Sequence, residues 1–250
     1  MRFEARHWLS PDWPDLPGVR ALMSTRRSGE PGLDFDLAAG ACGFTESHEA
    51  LARAIGAQPR WLRQVHGAEV VLLAGGHGAP APGADAAVTS TPGLACVVRV
   101  ADCLPVLMAA DNGLAVAAAH AGWRGLAAGV LENTVQALCA QAGCTPPAVR
   151  AWLGPCIGPR AFEVGPDVLQ VFGRDPDRTD DALFRRADRV DGSLRWRADL
   201  AGLATERLQA LGLVRIDGGA WCTVEDASAF FSFRRDRSTG RMAAAIARIG

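Results

Sequence analysis

The chain has 250 residues and is nearly balanced in charge, with 26 Lys plus Arg against 27 Asp plus Glu, so no long-range field favours nucleic acid or an anionic membrane as partner. Lysine and tyrosine are both absent, which closes Schiff-base, pyridoxal-phosphate, Walker-type and tyrosine acid–base chemistry and leaves every anion contact to arginine. At 49% hydrophobic residues this length suffices for a substantial core, and nothing in the composition marks a seam within 1–250.

The first sixteen residues carry Glu4, His7, Asp12 and two prolines rather than a basic start and an apolar run, so no signal peptide is expected. Val19 to Thr25 reads as a strand leading to a Gly-containing loop at 26–32. Leu51 and Ile55 set a helix over Glu46 to Gly56, and Trp61 to Leu73 reads as a strand region carrying His66. A Gly- and Pro-rich loop at 75–83 follows.

Apolar runs at Ala86 to Thr89, Leu94 to Val100, Val106 to Ala110 and Leu114 to Ala119 read as neighbouring strands. Asn112-Gly113 predicts a two-residue hairpin turn that pairs Pro105–Ala110 with Leu114–His120. Such a hairpin brings Cys103, before one strand, next to His120, at the end of the other. Leu126, Val130, Thr134 and Leu138 then place one helix over Arg124 to Ala142, closed by Gly143. Further on come a strand at Ala148–Leu153, a stiff loop at Gly154–Pro159, a helix at Gly165–Gly173 and a charged surface excursion at Asp175–Arg189. A helix at Leu200–Leu211 and a last strand at Met242–Ile249 complete the series, with no internal repeat.

Seven cysteines without regular spacing argue against a disulfide framework and for a reducing, cytoplasmic location. No stretch approaches the roughly 20 apolar residues of a spanning helix. His66, Cys103 and His120 all lie beside turns or strand ends, where a scaffold exposes side chains to a cleft. Two imidazoles and a thiolate suit an open three-ligand zinc site, and equally a Cys103–His120 nucleophilic pair. Asp102 either caps its own turn or orients a ligand histidine. Gly122 and Gly125 mark a helix start where Arg124 could hold an anion, while Cys156 reads as a packed loop residue and His7, His48 and His77 as surface residues. The zinc nucleobase deaminases are excluded, because no His-x-Glu occurs and Pro155-Cys156 lacks a second cysteine two residues on. A structural zinc or interaction module needs a fourth protein ligand, and none is evident.

Gln64-Val65-His66-Gly67, Ala101-Asp102-Cys103-Leu104-Pro105, His120-Ala121-Gly122-Trp123-Arg124-Gly125, Gly154-Pro155-Cys156-Ile157-Gly158, Phe162-Glu163-Val164-Gly165, Cys222-Thr223 and Phe231-Ser232-Phe233-Arg234-Arg235 together resemble the YfiH family, the "laccase domain" or purine nucleoside phosphorylase group. The resemblance runs in order from about Thr25 to Ile249. It implies one α+β domain over 1–250, with mixed, largely antiparallel sheets covered by helices. It implies zinc held by His66, Cys103 and His120, with copper the other metal ascribed to such proteins, and phosphorolysis of inosine, adenosine or methylthioadenosine. Adenosine deamination, copper polyphenol oxidation, cysteine hydrolysis and peptidoglycan-precursor editing are also ascribed to the family. Arg26, Arg124 and Arg234 are the expected holders of phosphate, in a monomer whose partners are a purine nucleoside and phosphate. The chain departs from the family at Ser28-Gly29-Glu30-Pro31 and Asp34-Phe35-Asp36-Leu37-Ala38, lacks an Asn-Arg pair on the next helix, and has Phe162 and Phe233 where tyrosine is common.

Overall fold

The central strands are largely apolar because each is covered on both faces. In the computed structural model, which describes residues 3–4, 8–13, 16, 18–27, 33–36, 41–75 and 83–249, two six-stranded sheets stack with a helix on each outer side. The first runs β1 (Phe3–Glu4), β2 (Trp8–Leu9), β3 (Val19–Ser24), β15 (Met242–Arg248), β7 (Leu94–Val100), β4 (Gln58–Arg60). The second runs β14 (Arg215–Gly218), β10 (Val149–Leu153), β8 (Leu104–Ala110), β9 (Val116–Ala121), β6 (Ala86–Thr89), β5 (Val70–Leu72). Every residue of β6, β8, β9 and β10 is buried. Strands covered twice lose the apolar–polar alternation of a half-solvated sheet.

Between the sheets lie Val98, Val100, Ala244 and Ile246 from one side and Ala87, Leu107, Val116 and Ala118 from the other. The outer face of the second sheet packs on α3 (Val130–Ala142) through Val130, Leu131, Val135 and Leu138. The outer face of the first packs on α1 (Ala41–Ile55) through Leu51 and Ile55, with Phe35 and Leu22 beneath. A small sheet, β11 (Glu163–Val164), β13 (Trp196–Ala198), β12 (Phe184–Arg186), joins the second core beside α4 (Pro166–Val171) and α5 (Leu200–Ala210). Asp199 caps α5 by accepting from the Gly202 N–H at 2.9 Å. The fold is α+β with mixed, largely antiparallel sheets, as expected, and the parallel pairs β4·β7, β5·β6 and β10·β14 all lie at sheet edges. Among the described residues no helix is long and apolar enough to cross a membrane.

Several local expectations are corrected. Trp61–Leu73 is strand only at Val70–Leu72, so His66 lies in a bend with φ 60° and not on a strand. The helix expected over Arg124–Ala142 is two, α2 (Trp123–Ala127) and α3, because Gly129 at φ 93° turns the chain between them. Leu126, Val130, Thr134 and Leu138 are nevertheless all buried. The hairpin turn is wider than two residues: the Ala110 N–H donates to the Ala115 carbonyl, which encloses 111–114, and the Asn112 side chain accepts from the Leu114 N–H at 3.0 Å. The charged excursion at 175–189 contains β12, and α1 begins at Ala41 rather than Glu46. Residues 28–32 and 76–82, and with them His77, lie outside the described residues, as does His7.

Candidate metal centre

Strand direction assembles the site. β6 and β8 both run antiparallel to β9, with Ala86 opposite Ala119 and Leu104 opposite Ala121, so the starts of β6 and β8 meet the end of β9. β5 runs parallel to β6, so the loop before β5 arrives at that same end. This brings together the loop residue His66, Asp85 just before β6, Cys103 just before β8, and His120 near the end of β9. The ligand atoms of His66, Cys103 and His120 all lie within 4.8 Å of one another, with Cys103 Sγ 4.0 Å from His66 Nε2. The two imidazole rings meet edge to face at 4.9 Å.

Asp85 organises this group. It is fully buried, and its Oδ1 lies 2.8 Å from His120 Nδ1 and accepts from the His66 N–H at 2.9 Å. Its Oδ2 accepts from the N–H groups of Gly67 at 2.7 Å and Val65 at 3.1 Å. Burial pushes this carboxyl up, but those hydrogen bonds, led by the one from His120, hold it below the usual carboxylate range. One side chain therefore fixes the His120 tautomer, leaving Nε2 to face a metal, and pins the backbone turn that presents His66. The sequence reading missed it. A lone acidic residue opening the apolar run Asp85-Ala86-Ala87-Val88 was the available signal.

Burial pushes the Cys103 thiol up, yet the charge of His120 and hydrogen bonds from both histidines bring it down to about 6. Burial pushes His120 down, and the charge of Cys103 with the hydrogen bond to Asp85 raises it to about 9. Each group thus favours the charged form of the other. With metal–nitrogen bonds of about 2.0–2.1 Å and a metal–sulfur bond of about 2.3 Å, tetrahedral neighbours stand roughly 3.4–3.6 Å apart. A small closing of the observed triangle meets that requirement. Gly122 keeps the triangle clear, since a Cβ there would lie 3.0 Å from Cys103 Sγ and 3.3 Å from His66 Cδ2.

Asp102 does not reach the ligand histidines. At φ 93° it turns the chain into Cys103 and accepts from Thr223 Oγ1 and from the Arg234 N–H, both at 2.6 Å. It thus ties the C-terminal segment to the metal loop. Above the triangle opens a cavity of about 550 Å³. Its walls carry Arg99, Arg124, Arg234 and Arg241, with Asp36, Gln64 and the rings of Trp123, Phe162 and Phe233. Arg124 and Arg234, expected on phosphate, are on this wall. Arg26 lies elsewhere, donating to the Ala227 carbonyl at 2.7 Å over the Phe231 ring, while Arg99 and Arg241 were not singled out from sequence. Cys156 is buried as expected. His48 is half-buried rather than superficial and accepts from Trp61 Nε1 at 2.8 Å.

Two imidazole nitrogens and one sulfur that could hold a metal lie at the floor of an arginine- and aromatic-walled cavity with room for a planar, polar substrate. Residues 43–249 match the multi-copper polyphenol oxidoreductase laccase family, and the chain belongs to it. It is 44% identical over 247 residues to the purine nucleoside phosphorylase YfiH of Escherichia coli, covering 95% of this chain and 97% of that protein. It is 42% identical to a purine nucleoside phosphorylase of Pseudomonas aeruginosa, with coverage of 96% and 97%. Among solved structures, a Neisseria meningitidis protein superposes with a TM-score of 0.84 at 38% identity, covering 98% of this chain and all of that one. YlmD of Geobacillus stearothermophilus does so at 0.86 and 28% identity, covering all of this chain and 98% of that one.

Proposed function

We propose that this chain is a zinc-dependent purine nucleoside phosphorylase, with His66, Cys103 and His120 as ligands. The observation that carries the reading is the open three-ligand group beneath a cavity whose wall pairs guanidiniums with aromatic rings. Two nitrogens and a thiolate suit borderline-soft zinc, which when bound supplies a Lewis acid with one open position. Purine nucleoside phosphorylases among the relatives named above add support. Oxidation by several coppers draws less: His66, Cys103 and His120 form the one group of its kind among the described residues, and the whole chain has five histidines.

In phosphorolysis the C1′–N9 bond breaks, a C1′–O bond to phosphate forms, and the purine leaves with the bonding pair, taking its proton from the phosphate P–OH. Arginine side chains on the wall hold the phosphate by their planar forks. The Phe162 and Phe233 rings flank the space where a planar base fits. Gln64 is not free to bind substrate: its amide donates to the Arg99 carbonyl and accepts from the Arg99 N–H, both at 2.9 Å, which fixes the base of the Arg99 side chain. Nucleoside and phosphate are the protein's partners on this reading.

Incubating the purified protein with inosine and phosphate, and following hypoxanthine by chromatography, tests the reading. Phosphate-dependent hypoxanthine that disappears in Cys103→Ala supports it. No hypoxanthine from zinc-loaded protein sinks it, and phosphate-independent ammonia release from adenosine would assign deamination instead.

A further inference from the structure

Beyond the metal cavity a second pocket, of about 670 Å³, opens on the small sheet. Arg195 and Arg197 flank the buried Trp196 on β13, so by strand alternation both guanidiniums leave on one face. On that face Glu163 stands opposite Arg197 in the ladder. The pocket also takes in Arg189, Arg234, Arg237 and Asp167, giving five guanidiniums against two carboxylates. Glu163 cannot satisfy its neighbours. Arg189 occupies it with two donors, whereas Arg197 stands 3.7 Å and Arg195 3.9 Å away, beyond hydrogen-bond length. No hydrogen bond engages the side chains of Arg197 or Arg237 among the described residues. Arg195 Nη1 donates to the Leu194 carbonyl at 2.7 Å, which leaves the guanidiniums of Arg197 and Arg237 on an open pocket as donors of the kind that phosphate oxygens accept.

Arg234 lines both cavities, and its backbone N–H is held by Asp102, the residue before Cys103. The two spaces therefore adjoin through one arginine. We propose that the pocket around Arg195, Arg197 and Arg237 is a phosphoryl-binding site continuous with the metal cavity. It takes inorganic phosphate on its way to the reacting centre or the phosphoryl group of a nucleoside monophosphate whose base and sugar lie over the metal. The site stands on its own residues, although its position next to the substrate rests on the reading above.

Calorimetric titration of zinc-loaded, full-length protein with inorganic phosphate, adenosine and adenosine 5′-monophosphate tests it without turnover. The expected result is phosphoryl-ligand binding that Arg197→Gln and Arg237→Gln each weaken about tenfold, the loss of one charged contact, while adenosine binding stays the same. Arg237 is exposed and outside any ion pair, so its variant keeps the test alive should Arg197→Gln fold poorly. A loss confined to free phosphate assigns the ion as ligand, and a monophosphate that outbinds adenosine only in wild type assigns the nucleotide. Phosphoryl ligands that bind wild type and both variants equally, or bind none of them, overturn the proposal. Failure to release hypoxanthine alongside these losses would overturn the phosphorylase reading alone.

Discussion

Asp85 holds Nδ1 of the buried His120 at 2.8 Å and, with the same carboxylate, three consecutive backbone N–H groups of the loop that carries His66. Two of the three candidate metal ligands are thus positioned by one carboxylate that is not a member of their group.

Replacing Asp85 with asparagine removes the charge and half of the acceptors. Metal affinity should fall on the order of 10–100-fold, read by competition with a chromophoric chelator. An unchanged affinity would show that His120 and His66 are positioned by packing alone.

Metal binding should release protons in a pH-dependent number. Between about 6 and about 9 Cys103 is already ionised while His120 is charged, so the proton lost on binding comes from His120. About one proton per metal is expected at pH 7.5, and affinity should drop by about tenfold for each pH unit lowered through that window. Below it the thiol is protonated too, and the count rises towards about two. Calorimetry in buffers of differing ionisation enthalpy measures the count directly, and a value of zero at pH 7.5 would contradict the charge assignment.

Gly122→Ala should separate folding from metal binding. Gly122 has φ −65° and ψ 158°, a conformation any residue adopts, so the backbone tolerates the change. Its new methyl would press on Cys103 Sγ and His66 Cδ2. Circular dichroism and melting temperature of the metal-free protein should stay near wild type while bound zinc, measured by elemental analysis, falls well below one per chain.

Thr223→Val removes a donor from the buried Asp102 carboxylate. Losing a hydrogen bond to a buried charge costs about 1.5–3 kcal/mol, a fall in melting temperature of roughly 3–12 °C for a chain this size. Because the same carboxylate holds the Arg234 N–H, KM for substrate should rise with little change in zinc content. A variant that melts like wild type would show that water replaces the hydroxyl at no cost.

Much of the architecture was legible in the sequence where one rule dominates. Continuous apolar runs bounded by turns gave β6 to β9, and Asn112-Gly113 gave the pairing that carries Cys103 to His120 even though the turn is wider than two residues. The metal triangle could be read because its residue types are rare and chemically demanding. What stayed hidden depends on contacts distant in sequence. β14 is mostly exposed and pairs only at an edge, and the two- and three-residue strands of the small sheet are too short to show a period. Asp85 acts across 35 residues on His120, and Asp102 across 121 on Thr223, separations at which local pattern carries no information. The bend at His66-Gly67 carries a glycine, but the carboxylate that holds it, Asp85, lies 18 to 20 residues further along the chain.

The grip of Asp102 on Thr223 and Arg234 divides the chain in another way. The candidate metal ligands lie between residues 66 and 120, whereas Phe233, Arg234 and Arg241 of the cavity wall arrive from the far end of the chain, tied to the Cys103 loop by the Asp102 carboxylate and by the pairing of Met242 with Val100. An exchange at Phe233, Arg234 or Arg241 therefore changes the cavity wall without replacing any candidate metal ligand.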